Sequence, residues 1–198
     1  MSQKNHKRSY KNNLSFILTW IRSPRSIGAV IPSSKALSKA MAAQIELSVS
    51  GEVVEIGAGT GVVTKELLNK LAGKKKLLVI ERNEHFFNIL HKIFPTTHLI
   101  NDDAQNLMQI LADQNITEVN AIISSLPLLS LPATIRGNII AAMAQAIGEN
   151  GRIIQFTYGL NSPIPQELLV QNQLKGECKK LVICNIPPAK IWVYQKNR

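Results

Sequence analysis

Short apolar runs alternate with longer segments of helical period through most of this chain. Val53-Val54-Glu55-Ile56, Leu77-Leu78-Val79-Ile80 and Ala121-Ile122-Ile123 are too short for helices and too continuous for strands with one wet face. They predict strands buried on both sides. The pattern places strands near residues 52–56, 76–81, 97–100, 119–124 and 151–157, with helices near 62–72, 84–93, 104–112 and 133–148. Such alternation predicts an α/β fold with a mainly parallel sheet and helices on both faces. Two further strands, 180–184 and 191–194, are joined by Asn185-Ile186-Pro187-Pro188-Ala189. That link is too short for a helical crossover, so a C-terminal antiparallel hairpin completes a seven-stranded sheet.

Ahead of the first strand the pattern changes. Leu14, Ile17, Leu18 and Ile21 recur at helical spacing, Tyr10, Phe16 and Trp20 widen the apolar arc, and Lys11, Ser15, Thr19 and Arg22 occupy the other side. A breaker-rich stretch over 23–32 follows, then Ser33 and Ser34 as caps for a helix over about 34–45. Residues 1–45 hold eight basic side chains and no acid, although the whole chain carries +10. The division expected is therefore a basic N-terminal helical segment, 1–45, and an α/β domain, 46–198. A basic amphipathic helix rich in aliphatic and aromatic groups fits an anionic membrane surface. The alternatives are a helix packed on the protein's own core and a secretory signal peptide, the latter disfavoured by Ser15, Thr19 and the prompt return of Arg22 and Arg25. Aromatic residues make up only 5%, which disfavours a base-stacking nucleic-acid surface without excluding RNA.

At 198 residues and 45% hydrophobic content the chain can build one sizeable core. Cys178 and Cys184 show no metal or disulfide spacing and read as reduced thiols of a cytosolic protein. The histidines, His6, His85, His91 and His98, are scattered, so no metal site is expected. No apolar run reaches the roughly 20 residues of a spanning helix.

The chemistry centres on Glu55-Ile56-Gly57-Ala58-Gly59-Thr60-Gly61, a strand that delivers an acid and three alternating glycines into a helix. Glycines here permit a tight turn and close approach of a ligand to backbone N–H groups. The spacing differs from the dinucleotide fingerprint and resembles the first motif of Rossmann-like S-adenosylmethionine-dependent methyltransferases. The resemblance implies that the turn, Gly57, Ala58, Gly59 and Gly61, passes under the methionine part of the cofactor, and that Glu55 helps hold the loop and the amino-acid end. Glu81, with Arg82 beside it, ends the second strand, where an acid can grip a ribose diol. Asp103-Ala104 resembles the third motif, which meets the adenine, with Asp102 a near competitor. Ser124-Ser125-Leu126-Pro127 stands where the family places its substrate-facing fourth motif.

Four blocks narrow the likeness: Ile27 to Ser34, Leu126 to Pro132, Gln155-Phe156-Thr157-Tyr158-Gly159, and Asn185 to Tyr194. Together they resemble the bacterial phospholipid N-methyltransferases, which convert phosphatidylethanolamine stepwise toward phosphatidylcholine. The rRNA adenine dimethylases are related, but carry Asn-Leu-Pro-aromatic where this chain has Ser125-Leu126-Pro127-Leu128. Their helical C-terminal domain is not expected here either. The resemblance implies S-adenosyl-L-methionine as cofactor, S-adenosyl-L-homocysteine as product, an aminophospholipid substrate, and a cytoplasmic protein peripherally associated with the membrane. Ser124, Ser125, the Leu126 carbonyl and Tyr158 become candidates for orienting the amine. Trp20, Arg22, Arg25, Ile31, Pro32, Ser33 and Lys190 become candidates for substrate and membrane contact, Arg136 joining Arg25 and Lys190 for the lipid phosphate. The rival readings are an RNA or small-molecule methyltransferase and a membrane-binding protein with a vestigial pocket. Oligomeric state and the number of methyl groups transferred are left open.

Overall fold

The computed structural model describes residues 32–197. The basic amphipathic helix expected over 14–21, and with it Trp20, Arg22, Arg25 and Ile31, lies outside the described residues. Helix α1 is Pro32–Ala42, β1 Glu52–Ile56, α2 Val62–Leu71, β2 Leu77–Ile80, α3 Glu84–Ile93, β3 His98–Ile100, α4 Leu107–Asp113, β4 Val119–Ser124, α5 Ala133–Ala146, β5 Ile147–Thr157, α6 Gln166–Gln171, β6 Leu174–Val182 and β7 Ala189–Lys196. Single 3-10 turns occur at Ala104–Asn106 and Leu128–Ser130.

The seven strands form one sheet in the order β3-β2-β1-β4-β5-β7-β6. Strands β1 to β5 pair in parallel, whereas β7 runs antiparallel to both β5 and β6. This is the expected α/β architecture with its C-terminal hairpin. Because strand order reverses between β1 and β4, a crevice opens at their carboxyl ends, where open α/β sheets bind ligands.

Side-chain alternation sends the central strands into two cores. Val54, Ile56, Leu78, Ile80, Ile122 and Ile153 join residues of α4, α5 and α6 on one face. Val53, Leu77, Val79, Ala121, Ile123 and Ile154 join residues of α1, α2 and α3 on the other. Leu37, Ala40, Met41 and Ala42 of α1 are among the buried residues of that second core, Met41 completely so.

Several boundaries differ from the sequence expectation. Helix α5 stops at Ala146 and β5 starts at Ile147, where a helix was expected to continue to 148. The register jumps from Val119↔Ile147 to Ala121↔Arg152, so the extra residues of 148–151 form an irregularity that the turn-forming Gly148-Glu149-Asn150-Gly151 accommodates. A Cβ on Gly151 would stand 2.8 Å from the Val119 carbonyl oxygen. Strand β6 is longer than expected and begins earlier, and Cys184 falls in the turn after it. Its residues 175–181 are all exposed, so no apolar alternation marked it. Helix α6, six residues after Pro165, was not anticipated.

Candidate functional site

The loop after β1 is built to stay open. Gly57, Gly59 and Gly61 have φ of +74°, +55° and +83°, a region that side chains adopt only with strain. A Cβ on Gly57 would come within 2.7 Å of the Leu126 side chain, and one on Gly61 within 2.6 Å of Phe94. At Gly59 the same atom meets nothing within 4 Å. The first and last glycines are thus closed in by protein, while the middle one faces free space. Gly61 caps α2 without any side-chain hydrogen bond, leaving first-turn N–H groups for an anionic ligand group. Ala58, 7% exposed, packs into the second core.

Glu81, at the carboxyl end of β2, is only 8% exposed. One of its oxygens accepts the Gly59 amide at 2.9 Å and the other the Asn83 amide at 2.7 Å. The expected ribose acid is therefore wired to the middle glycine of the loop. Asn101 secures the same corner by donating to the Glu81 and Arg82 carbonyls at 2.7 and 3.1 Å. Arg82 pairs with Asp103 at 3.0 Å. Burial pushes the Asp103 carboxyl up, but the Gln105 amide and side chain and the Arg82 guanidinium outweigh it and hold it below the usual value. Asp102 turns its Oδ1 to the Asp103 amide at 2.6 Å and to Asn106 at 2.8 Å. Ala104 packs into the first core.

Glu55 is placed differently from what an acid gripping the loop requires. It is fully buried on the face of α1 and α2, and neither oxygen has a hydrogen-bond partner. Desolvation pushes its pKa to about 8; the Thr64 hydroxyl lies close enough to lower it in part without reaching hydrogen-bond geometry, and the Glu81 charge raises it further. At neutral pH the uncharged form of Glu55 therefore predominates.

The fourth-motif segment meets the glycine loop directly. The Ser125 amide donates to the Ile56 carbonyl at 3.0 Å, and Leu126 packs on Gly57. Ser124 is fully buried and its Oγ accepts the Leu126 amide at 3.4 Å, which shapes the loop from below. Ser125 Oγ is buried with no partner. Gln155, which the sequence marks only as the first residue of a resemblance block and without a role, is 1% exposed and donates Nε2 to the Leu126 carbonyl at 3.1 Å. Its Oε1 is unpartnered. The signal was a polar residue amid the apolar run Ile153-Ile154. Replacing Gln155 by leucine removes the anchor of the Leu126 carbonyl. A drop in kcat of about tenfold, with the cofactor Kd unchanged, is the expected outcome of steady-state kinetics and titration.

Tyr158 is tied elsewhere. It stands edge-to-face with Phe156 at 5.4 Å and packs on the second core. Burial raises its hydroxyl pKa, offset in part by the neighbouring Asn185 side chain. Lys190 donates to the Leu160 carbonyl at 2.8 Å. Arg136 has a buried Nε without a partner. Pro32 and Ser33 open α1.

These residues fit a nucleoside with a charged amino-acid tail. Free space over Gly59, an uncapped helix start and acids ending β2 and following β3 form one crevice. A profile of the family described as Ribosomal RNA adenine dimethylase matches residues 26–150. An ornithine lipid N-methyltransferase of Singulisphaera acidiphila is 27% identical over 150 residues, covering 74% of this chain and 78% of that protein. Ribosomal RNA small subunit methyltransferase A of a Hydrogenobaculum species is 28% identical over 156 residues, covering 79% of this chain and 56% of that protein. Among solved structures, a Burkholderia thailandensis 1,6-didemethyltoxoflavin-N1-methyltransferase holding S-adenosylhomocysteine superposes with a TM-score of 0.66 at 12% identity, over 100% of this chain and 93% of that one. A TehB-like S-adenosylmethionine-dependent methyltransferase of Corynebacterium glutamicum does so at 0.60 and 14% identity, over 94% and 98%.

Proposed function

Since the chain belongs to the ribosomal RNA adenine dimethylase family of S-adenosylmethionine-dependent methyltransferases, its reaction is methyl transfer from that cofactor, and we propose that the acceptor is the amine of phosphatidylethanolamine or of its mono- and dimethyl derivatives. One observation carries this reading. Leu128 stands where the adenine dimethylases, in the resemblance above, have an aromatic ring, and it is 1% exposed in the first core. A flipped base is held by stacking between aromatic or apolar side chains, and an aliphatic residue turned into the core offers no such platform. The likeness to an ornithine lipid N-methyltransferase supports an aminolipid as the substrate class.

The cofactor supplies a methyl group activated on a sulfonium, so the protein's work is to hold and aim an uncharged amine. Glu81 and Asp103 take the ribose and adenine, and the Gly57 to Gly61 loop and the start of α2 the amino-acid end. Ser125 Oγ, unpartnered in its buried position, accepts one N–H of the amine. The Leu126 carbonyl, fixed by Gln155, accepts the second N–H of the unmethylated amine; the monomethyl amine keeps one of these two bonds and the dimethyl amine neither. Tyr158 offers its ring to a methylated ammonium by cation–π attraction. Arg25, Arg136 and Lys190 serve the lipid phosphate.

Access to the bilayer falls to residues 1–32. Trp20, Arg22 and Arg25 engage an anionic surface, and Ile31, Pro32 and Ser33 serve contact with the lipid substrate. Among the described residues no helix is long and apolar enough to cross a membrane, which is consistent with peripheral attachment. The test is transfer of labelled methyl to vesicles of phosphatidylethanolamine in anionic lipid, beside ornithine lipid vesicles and rRNA, with the full chain and with one lacking residues 1–24. Methylated phosphatidylethanolamine from the full chain, greatly reduced on truncation with cofactor binding retained, is expected. Label in rRNA alone sinks the lipid reading, and equal vesicle activity after truncation sinks the docking role.

A further inference from the structure

Outside the crevice, the most unusual surface is the turn between β6 and β7. Ile183 and Ile186 are 71% and 80% exposed, and Leu181 just before them is 53% exposed. Aliphatic side chains scattered singly over a surface need no explanation, but these three cluster at one turn and the strand end that enters it, and that turn is held. Asn185 between them is buried and donates to the Pro187 carbonyl at 2.8 Å, while its side chain lies against Tyr158. The neighbouring Tyr158 to Ser162 loop adds Leu160, 68% exposed, and is joined to the hairpin by the Lys190 bond to its carbonyl. Fixing two loops so that four aliphatic groups point outward is not how a solvated turn is built.

Register gives the location. Thr157 pairs with Lys190 and Val182 with Ala189, so the turn emerges at the carboxyl end of β5. Strands β1 and β4, parallel to β5 in the same sheet, release the glycine loop and the Ser125-Leu126 loop at that end. Charge gives the occupant. From Lys179 to Lys190, the turn and the strand ends beside it carry Lys179, Lys180 and Lys190 and no acid, and the nearby Glu177 is itself paired with Lys179 at 2.6 Å. Aliphatic tips above a lysine collar match the boundary of an anionic bilayer, where the tips enter the acyl region and the lysines meet headgroup phosphates.

We propose that Leu160, Leu181, Ile183 and Ile186 form a membrane-inserting tip that seats the mouth of the crevice on an anionic bilayer. It deepens the aminolipid reading, on which its purpose rests, by naming the surface that faces the lipid, and it is separate from the N-terminal segment.

Full-length protein is sedimented with vesicles of phosphatidylglycerol and phosphatidylethanolamine, comparing wild type, the double variant Ile183→Ser/Ile186→Ser, and Val170→Ser. Val170 is a fair control, being 68% exposed on α6, which leads into the opposite end of β6. Vesicle partitioning is expected to fall about tenfold or more in the double variant and less than about twofold in the control. S-adenosylhomocysteine titration is expected to give one Kd for all three, which shows the fold intact. A double variant that sediments like wild type overturns the tip, as does an equal loss in the control. So does loss of a wild-type dimer with vesicle binding unchanged, which would assign the surface to a second copy, or a loss seen only in binding to an rRNA fragment. Methyl transfer separates this from the aminolipid reading: tip-dependent sedimentation with no labelled lipid upholds the tip and removes the substrate. Undiminished lipid methylation by a double variant that still sediments does the reverse.

Discussion

Replacing Glu81 by alanine is expected to weaken S-adenosylmethionine binding by about 100-fold to 1000-fold, the loss of two charge-assisted hydrogen bonds to a ribose diol. The structure adds a second reason. The Glu81 carboxylate holds the Gly59 and Asn83 amides at 2.9 and 2.7 Å from a site only 8% exposed. Without it the loop loses its tie to β2 before any ligand arrives. The alanine variant should thus also be less stable without cofactor, by about 1–3 kcal/mol. Glutamine keeps one acceptor oxygen and should fall between. Calorimetric titration with S-adenosylhomocysteine checks the first effect and denaturant unfolding the second. A Kd within threefold of wild type for the alanine variant removes Glu81 from the cofactor site.

The second large effect concerns Glu55 and pH. Burial holds its carboxyl at a folded pKa of about 8 against an ordinary value of 4.5, with desolvation the main cause. In the unfolded chain the proton leaves near 4.5, so between these values the folded state binds more protons. Stability from this group is fully present below pH 4.5 and is lost as pH rises toward about 8. The slope is at most about 1.4 kcal/mol per pH unit. Glu55→Gln cannot ionise and should remove that slope. Melting curves from pH 5 to 8 are expected to show wild type falling and the variant nearly level, with the variant the more stable at the alkaline end. Parallel curves would mean that Glu55 does not titrate as a buried acid. The same burial bears on mechanism, because Asp103, whose carboxyl is held below its usual value, then supplies negative charge near the loop that Glu55 does not.

Much of this was legible in the chain. Strands β1, β2 and β4 are buried on both faces, so their continuous apolar runs named them, and the glycine loop and the acids after β2 and β3 followed at the expected points. What stayed hidden lacked a periodic or compositional mark. Strand β6 is an edge strand exposed through 175–181, so only its end from Lys180 was expected, and nothing in the Lys and Glu residues before it separated them from a loop; lysines are also how such edges resist pairing. The role of Gln155 depends on a residue 29 positions away, which no local pattern reports. Glu55 was read as a loop acid from its position in the motif, whereas strand alternation turns it toward α2 and leaves it without a partner. The exposed Ile183 and Ile186 sit in a Pro-containing turn whose sequence gave its place but not the outward direction of its side chains.

Ser125 donates its amide to the last carbonyl of β1, and Leu126 fills the space that a side chain on Gly57 would occupy. Two loops joined in this way cannot rearrange independently, so under the proposed function the cofactor and acceptor sites share one free energy of coupling. By thermodynamic reciprocity, whatever factor a bound nucleoside adds to the affinity for the acceptor, the acceptor returns to the nucleoside.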